Sequence, residues 1–300
     1  MRAAVTGATG FVGVPLCNEL KRSGWEVTVL ARNAASAEQA LGSGYDIISW
    51  TPANEIPHEA LRGVDTVINL AGESINGRWT EKRKKRILES RTSVTRRLVE
   101  AIGRMDNPPQ ALINASAIGY YGPRGDEKLC EDEHHGSDFQ ARVCKAWEEE
   151  AFKAERFGTW VVTIRIGVVL GDGGALSRMI IPFKMFAGGP VGNGKQWFSW
   201  VHRDDLIGII KFAAQNHSLR GPVNATAPEP VTMGEFSKIL GKVLNRPSWL
   251  PVPGFVLKAG LGEMSDMLLN GQRVIPRKAL DAGYEFKYGS AEEALRNILG

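Results

Sequence analysis

Residues 4–13 read AVTGATGFVG, with Gly7, Gly10 and Gly13 three apart. An apolar run precedes them. After them Phe11, Val12, Leu16 and Leu20 keep helical spacing up to a stop at Gly24. Strand, glycines, helix is the context a dinucleotide cradle requires. Gly7 permits the tight turn, Gly10 lets backbone approach a pyrophosphate, and Gly13 lets the helix pack on the strand. The helix N-terminus adds free N–H groups and positive partial charge. The spacing is G-x-x-G-x-x-G, not the commoner G-x-G-x-x-G, so a plain glycine-rich turn is the competing reading.

The rest of the chain repeats the rhythm. WEVTVLARN, VDTVINLAG (64–72), QALINASA (110–117) and TWVVTIRIGVVLG are near-continuous apolar strands, as in parallel sheets covered on both faces. A long helix capped by Thr80 runs to about Met105, and another spans 139–157. The expected class is α/β, a Rossmann-type doubly wound parallel sheet with a smaller irregular α+β C-terminal lobe. Residues 1–170, with a helix at 202–217, form the nucleotide-binding part. Residues 171–201 and 218–300 form the smaller lobe, over the carboxyl ends of the strands where open α/β sheets bind ligands.

Composition excludes other classes. A chain 43% hydrophobic and 23% charged is an ordinary globular one. A net charge of +4 gives no electrostatic case for nucleic acid, and the basic RWTEKRKKRILESRTSVTRR reads as a solvated helix face. No run approaches the roughly 18 apolar residues of a membrane span. Three scattered cysteines, Cys17, Cys130 and Cys144, fit a reducing compartment and give neither a disulfide framework nor a zinc site. No metal is expected. The first strand starts almost at once, so the expected location is cytoplasmic, or the plastid stroma if a transit peptide has been removed.

The second strand ends Leu30-Ala31-Arg32-Asn33. An NAD enzyme usually places an acid here for the ribose 2′-hydroxyl; Arg32 instead suits a 2′-phosphate, which argues for NADP(H), with an exposed arginine capping the strand as the competing reading.

TGATGFVG, NLAGE (69–73), INASAIGYYG (113–122), RIGVVLG (165–171) and FSWVHRDDL (198–206) occur in this order. Together they resemble the extended and atypical short-chain dehydrogenase/reductase superfamily. GGPVGNGKQWFSWVHRDDL and RPSWLPVP narrow the resemblance to the epimerase-family group that includes the plant giant-chloroplast protein and cyanobacterial SulA-like relatives. The resemblance covers essentially the whole chain. It implies a pyrophosphate loop of Gly7, Thr9, Gly10, Phe11, Val12 and Gly13. It puts Ala31, Arg32 and Asn33 at the adenosine ribose, and Leu70, Ala71, Gly72, Arg91 and Ala115 along the cofactor. Arg165 and Ile166 fall at the strand end that lines the nicotinamide, and Ser116 at the catalytic serine.

One departure outweighs these matches. The superfamily's Tyr-x-x-x-Lys has Lys145 as its lysine, but Ala141 stands where the tyrosine belongs. Alanine cannot trade a proton with a substrate oxygen. Ser116, Tyr121, Glu73 or water is left to do so, with Lys145 binding ribose hydroxyls. Tyr121 is as suited to packing as to catalysis, Glu73 to capping its loop, and a buried serine satisfied by nearby backbone is the alternative for Ser116. Tyr120, Trp197, Trp200 and His202 are candidate walls of an apolar pocket, each with an anchoring role as the alternative. The acidic GDEKLCEDEHHGSD reads as a flap over the cleft. Two functions follow: an NADP(H)-dependent oxidoreductase or epimerase-like enzyme acting on a small carbonyl or hydroxyl compound, or an NADP(H)-binding regulator working through a protein partner in plastid or bacterial division.

Overall fold

The computed structural model describes all of residues 1–300. Its frame is a seven-stranded, wholly parallel sheet. The strands are β1 (Arg2–Thr6), β2 (Glu26–Ala31), β3 (Asp46–Ser49), β4 (Thr66–Asn69), β5 (Ala111–Ala117), β6 (Trp160–Ile166) and β7 (Gly221–Ala225). Their order is β3-β2-β1-β4-β5-β6-β7. The order reverses between β1 and β4, which opens a crevice at their carboxyl ends. β1, β4 and β5 are buried almost throughout, because helices cover both faces.

On one face α1 (Gly13–Arg22) and α6 (Arg203–Gln215) pack through Leu16, Leu20, Leu206, Ile209 and Ile210. On the other, α3 (Glu81–Ile102) and α4 (Phe139–Phe152) pack through Val94, Leu98, Ile102 and Ala151. Caps fix where these helices begin. Thr80 accepts from the Arg83 amide at 3.3 Å, and Asp138 from the Ala141 amide at 2.8 Å.

A third core lies in the second lobe, between α5 (Gly174–Lys184), α7 (Met233–Leu244) and the C-terminal helix Ala291–Leu299. A capping box of Thr232 and Glu235 starts α7. Two features correct the sequence-based division. Gly221–Ala225, assigned to the smaller lobe, is the edge strand of the main sheet, paired with Val162–Ile166. The acidic loop is not a free flap: Lys128–Leu129 pairs with Arg273–Val274, and Leu129 and Glu131 are buried.

Candidate functional site

The glycine loop joins β1 to α1 at the crevice. Gly7 has φ +71°, and a Cβ there would lie 2.7 Å from the Leu70 carbonyl carbon and oxygen. At Gly13 a Cβ would lie 2.2 Å from the Gly7 oxygen. Both are therefore glycine for reasons internal to the fold. Gly10 differs, since a Cβ would meet only the Gly7 oxygen, at 3.2 Å, and its outer side is open. The amides of Phe11, Val12 and Gly13 have no intramolecular acceptor, and no side chain caps α1. Three free donors at a helix N-terminus, above a glycine with nothing over it, fit a pyrophosphate.

At the end of β2 the Arg32 side chain is exposed and makes no hydrogen bond or ion pair, whereas Asn33 caps α2 (Ala34–Leu41) by accepting from the Ser36 amide at 3.0 Å. Leu70, Ala71 and Gly72 follow β4. Arg91 reaches under them from α3, donating to the Glu73 carbonyl at 3.1 Å and lying 5.1 Å from the Trp147 ring centroid. Burial lowers its pKa. A buried chain of amides and hydroxyls underpins these loops. Thr6 donates to Asn69 at 2.6 Å; the Asn69 amide donates to Thr95 and Asn114; and the Trp147 indole donates to Thr95. Sequence reading missed this chain. Its one signal was an asparagine in each of two otherwise largely apolar strands, Asn69 at the end of β4 and Asn114 in the middle of β5.

Beside the glycine loop lies a cleft of about 740 Å³ between the sheet and the second lobe. Phe11, Ile166 and Trp197 line it, together with Ala117 and Gln140. Other expected residues do not. Trp200 is fully enclosed in the second-lobe core. His202 is buried as the cap of α6, accepting from the Asp204 amide through Nδ1 at 3.1 Å and stacked on Tyr288. Tyr120 lies with its ring centroid 3.5 Å from the Arg165 guanidinium carbon, away from the cleft lining. Glu73 faces Arg86 at 3.5 Å.

The most consequential correction concerns Tyr121, one of the candidates for proton exchange with substrate. It is wholly buried and donates to Asn224 at 2.7 Å. Burial pushes its phenol well above the usual tyrosine range, opposite to what proton exchange near neutrality requires. Ser116 is also buried, donating to Glu148 at 2.6 Å. Arg165 holds both Glu148 oxygens at 2.9 Å and donates to the Tyr121 oxygen at 3.0 Å. Arg165 is thus enclosed by its partners and does not line the cleft; Ile166, the next residue, does.

Residues 3–225 match the NAD dependent epimerase/dehydratase family. The chain belongs to that family. Residues 252–298 also match a domain of unknown function, DUF1731. The epimerase family protein YfhF of Bacillus subtilis is 42% identical over 300 residues, spanning 100% of this chain and 98% of its own. The chloroplastic SDR39U1 homolog of Arabidopsis thaliana is 44% identical over 312 residues, covering 100% of this chain and 87% of that one. Among solved structures, human SDR39U1 with NADPH superposes with a TM-score of 0.88 at 36% identity, over 99% of both chains. UDP-glucuronic acid 4-epimerase of Bacillus cereus shares the fold at 19% identity and a TM-score of 0.79, over 99% of this chain and 98% of that one.

Within this family member, the helix expected to carry Tyr-x-x-x-Lys is α4. Its Ala141 is fully buried, so no side chain projects there. Lys145, one turn on, is half exposed, with Glu149 at 3.9 Å as its ion-pair partner. Glu148, one position short of the next turn, is the carboxylate that Ser116 and Arg165 share.

Proposed function

We propose that the protein binds NADP(H) at the Gly7–Gly13 loop and is an oxidoreductase or epimerase-like enzyme for a small carbonyl or hydroxyl compound in the adjoining cleft. The observation that carries this reading is the open cleft, which begins at Phe11 of the glycine loop and ends in the second lobe. Thr9, Gly10, Phe11, Val12 and Gly13 hold the pyrophosphate, Arg32 the 2′-phosphate, and Lys145 the ribose hydroxyls. Leu70, Ala71, Gly72 and Ala115 form the floor, oriented by Arg91. The bound nicotinamide supplies hydride exchange. Support comes from the free amides, the unpaired Arg32 and the human relative solved with NADPH.

Proton transfer is the weak part of such a machine here. Ser116 and Tyr121 are engaged in the Glu148–Arg165 cluster, Ala141 offers nothing, and Glu73 is outside the cleft lining. Water entering the open cleft is the donor this reading assigns. The same observation favours a second reading, an NADP(H)-binding regulator that acts through a protein partner, such as one in plastid or bacterial division. The free, scattered cysteines support a reducing compartment in either case, cytoplasm or stroma.

The experiment is a titration with NADPH and NADH followed by a carbonyl-substrate panel monitored at the nicotinamide absorbance. NADPH binding with turnover of some carbonyl supports the enzyme. NADPH binding without turnover across the panel favours the regulator, and failure to bind either cofactor rejects both.

A further inference from the structure

Resting on the enzyme reading above, the chemistry of the cleft wall narrows the substrate. Of its 25 lining residues 13 are hydrophobic, and among the others Arg178 alone is charged. The polar remainder is mostly neutral amides, including Asn76, Gln140, Gln196 and Gln272. Arg178 sits on the second turn of α5, exposed and without a hydrogen-bond or ion-pair partner. A free guanidinium beside an apolar wall is a ready mate for one carboxylate or one similar anion. No acid lines the cleft to repel it.

A lining with one charged residue is poorly matched to a nucleoside diphosphate sugar. A diphosphate brings at least two negative charges, and each must be paired or solvated when it leaves water. One arginine and the uncapped N-terminus of α5 compensate little more than one. The flexible side chains of Met233 and Met267, with Trp197 and Phe198, instead offer a deformable apolar surface. Trp197 is held in place by an indole bond to Asp126 at 2.8 Å and by Arg273, 4.3 Å from its ring centroid.

We propose that the cleft takes a compact, largely apolar carbonyl or hydroxyl compound bearing a single anionic group, with Arg178 as its anion partner, and that it discriminates against nucleoside diphosphate sugars. Amide side chains orient the neutral oxygen atoms, and the apolar wall excludes water from the rest.

The test is calorimetric titration of the NADP⁺-saturated protein with three probes: phenylpyruvate, the uncharged 4-phenylbutan-2-one, and UDP-glucuronic acid. Phenylpyruvate is expected to bind about tenfold more tightly than the neutral ketone, as one charge-assisted pair provides. UDP-glucuronic acid is expected to bind more weakly than either. Arg178→Ala should erase the difference between the two small probes, and Arg178→Glu should place phenylpyruvate below the ketone. Arg178 is a surface side chain without partners, so both variants should fold, which thermal melting verifies. Tighter binding of UDP-glucuronic acid, an unchanged ratio in Arg178→Ala, or no binding of either small probe at millimolar concentration overturns the proposal. If NADP⁺ itself does not bind, the underlying reading fails; if it binds and the probes rank otherwise, only this inference fails.

Discussion

Ser116 and Arg165 stand opposite each other in register on β5 and β6, and both bond the same carboxylate, Glu148 of α4. The residue expected to work on substrate is thereby tied into the joint between sheet and helix. Arg165 extends the joint, through Tyr121 and the Glu131 carbonyl, toward the second lobe.

Breaking that joint should be a stability event. Glu148→Ala leaves the Arg165 guanidinium buried without its partner, and such losses cost about 3–5 kcal/mol. Ser116→Ala removes one hydroxyl but leaves the bidentate pair, so about 1–2 kcal/mol is expected. Urea denaturation checks the order. A Ser116→Ala protein that melts normally yet loses all turnover would restore the serine to the chemistry.

The glycines of the loop should separate by role. Gly10→Val is expected to fold with near-normal stability, since only the Gly7 oxygen lies near its Cβ, and to lose NADPH binding. Gly7→Ala should instead destabilise by about 1–3 kcal/mol, because its φ of +71° is strained for any other residue and Leu70 blocks the Cβ. Thermal melts with and without NADPH distinguish the two. Retained binding in a folded Gly10→Val protein counts against the cradle.

Cofactor choice should rest on Arg32. The wild type is expected to bind NADPH more tightly than NADH by about 10- to 100-fold, the range of one charge-assisted contact. Arg32→Ala should bring the ratio close to one and leave NADH affinity in place. Equal affinities in the wild type would sink the assignment.

His202 should make stability depend on pH. Burial lowers its pKa, against the opposing pull of Asp204 and Asp205, and Nδ1 must stay unprotonated to cap α6. The unfolded chain, with a histidine pKa of about 6.5, then takes up a proton before the folded one. Stability is complete above that value and falls as pH drops toward the folded pKa. His202→Asn keeps a capping oxygen without titrating, so it should flatten the slope of unfolding free energy as pH falls below about 6.5.

The main sheet was legible where strands were long and apolar: β1, β2, β4, β5 and β6 all fall within the expected stretches. β3 was not read, because Asp46–Ser49 is four residues with no alternation to mark it. β7 was assigned to the smaller lobe, because GPVNA contains nothing to say which sheet it joins. Parallel pairing is decided by crossovers, not by local pattern. In the site, the glycine loop was legible since its chemistry is backbone chemistry at fixed spacing. Tyr121 and Trp200 were not, because an aromatic residue looks the same in sequence whether it lines a cleft or fills a core. Their burial follows from partners 103 residues away in the first case, Asn224, and from the packing of α7 and the C-terminal helix in the second.

The placement of β7 has a consequence for how the molecule can be divided. The chain leaves the main sheet after β6, builds part of the second lobe, returns through α6 and β7, and leaves again. A cut near residue 170 would strip the sheet of its last strand and of the helix that covers it, exposing Ile164 and Val162. Neither lobe is a detachable module, so a fusion partner belongs at the termini, and recombination with a relative has to exchange residues 171–225 as one block.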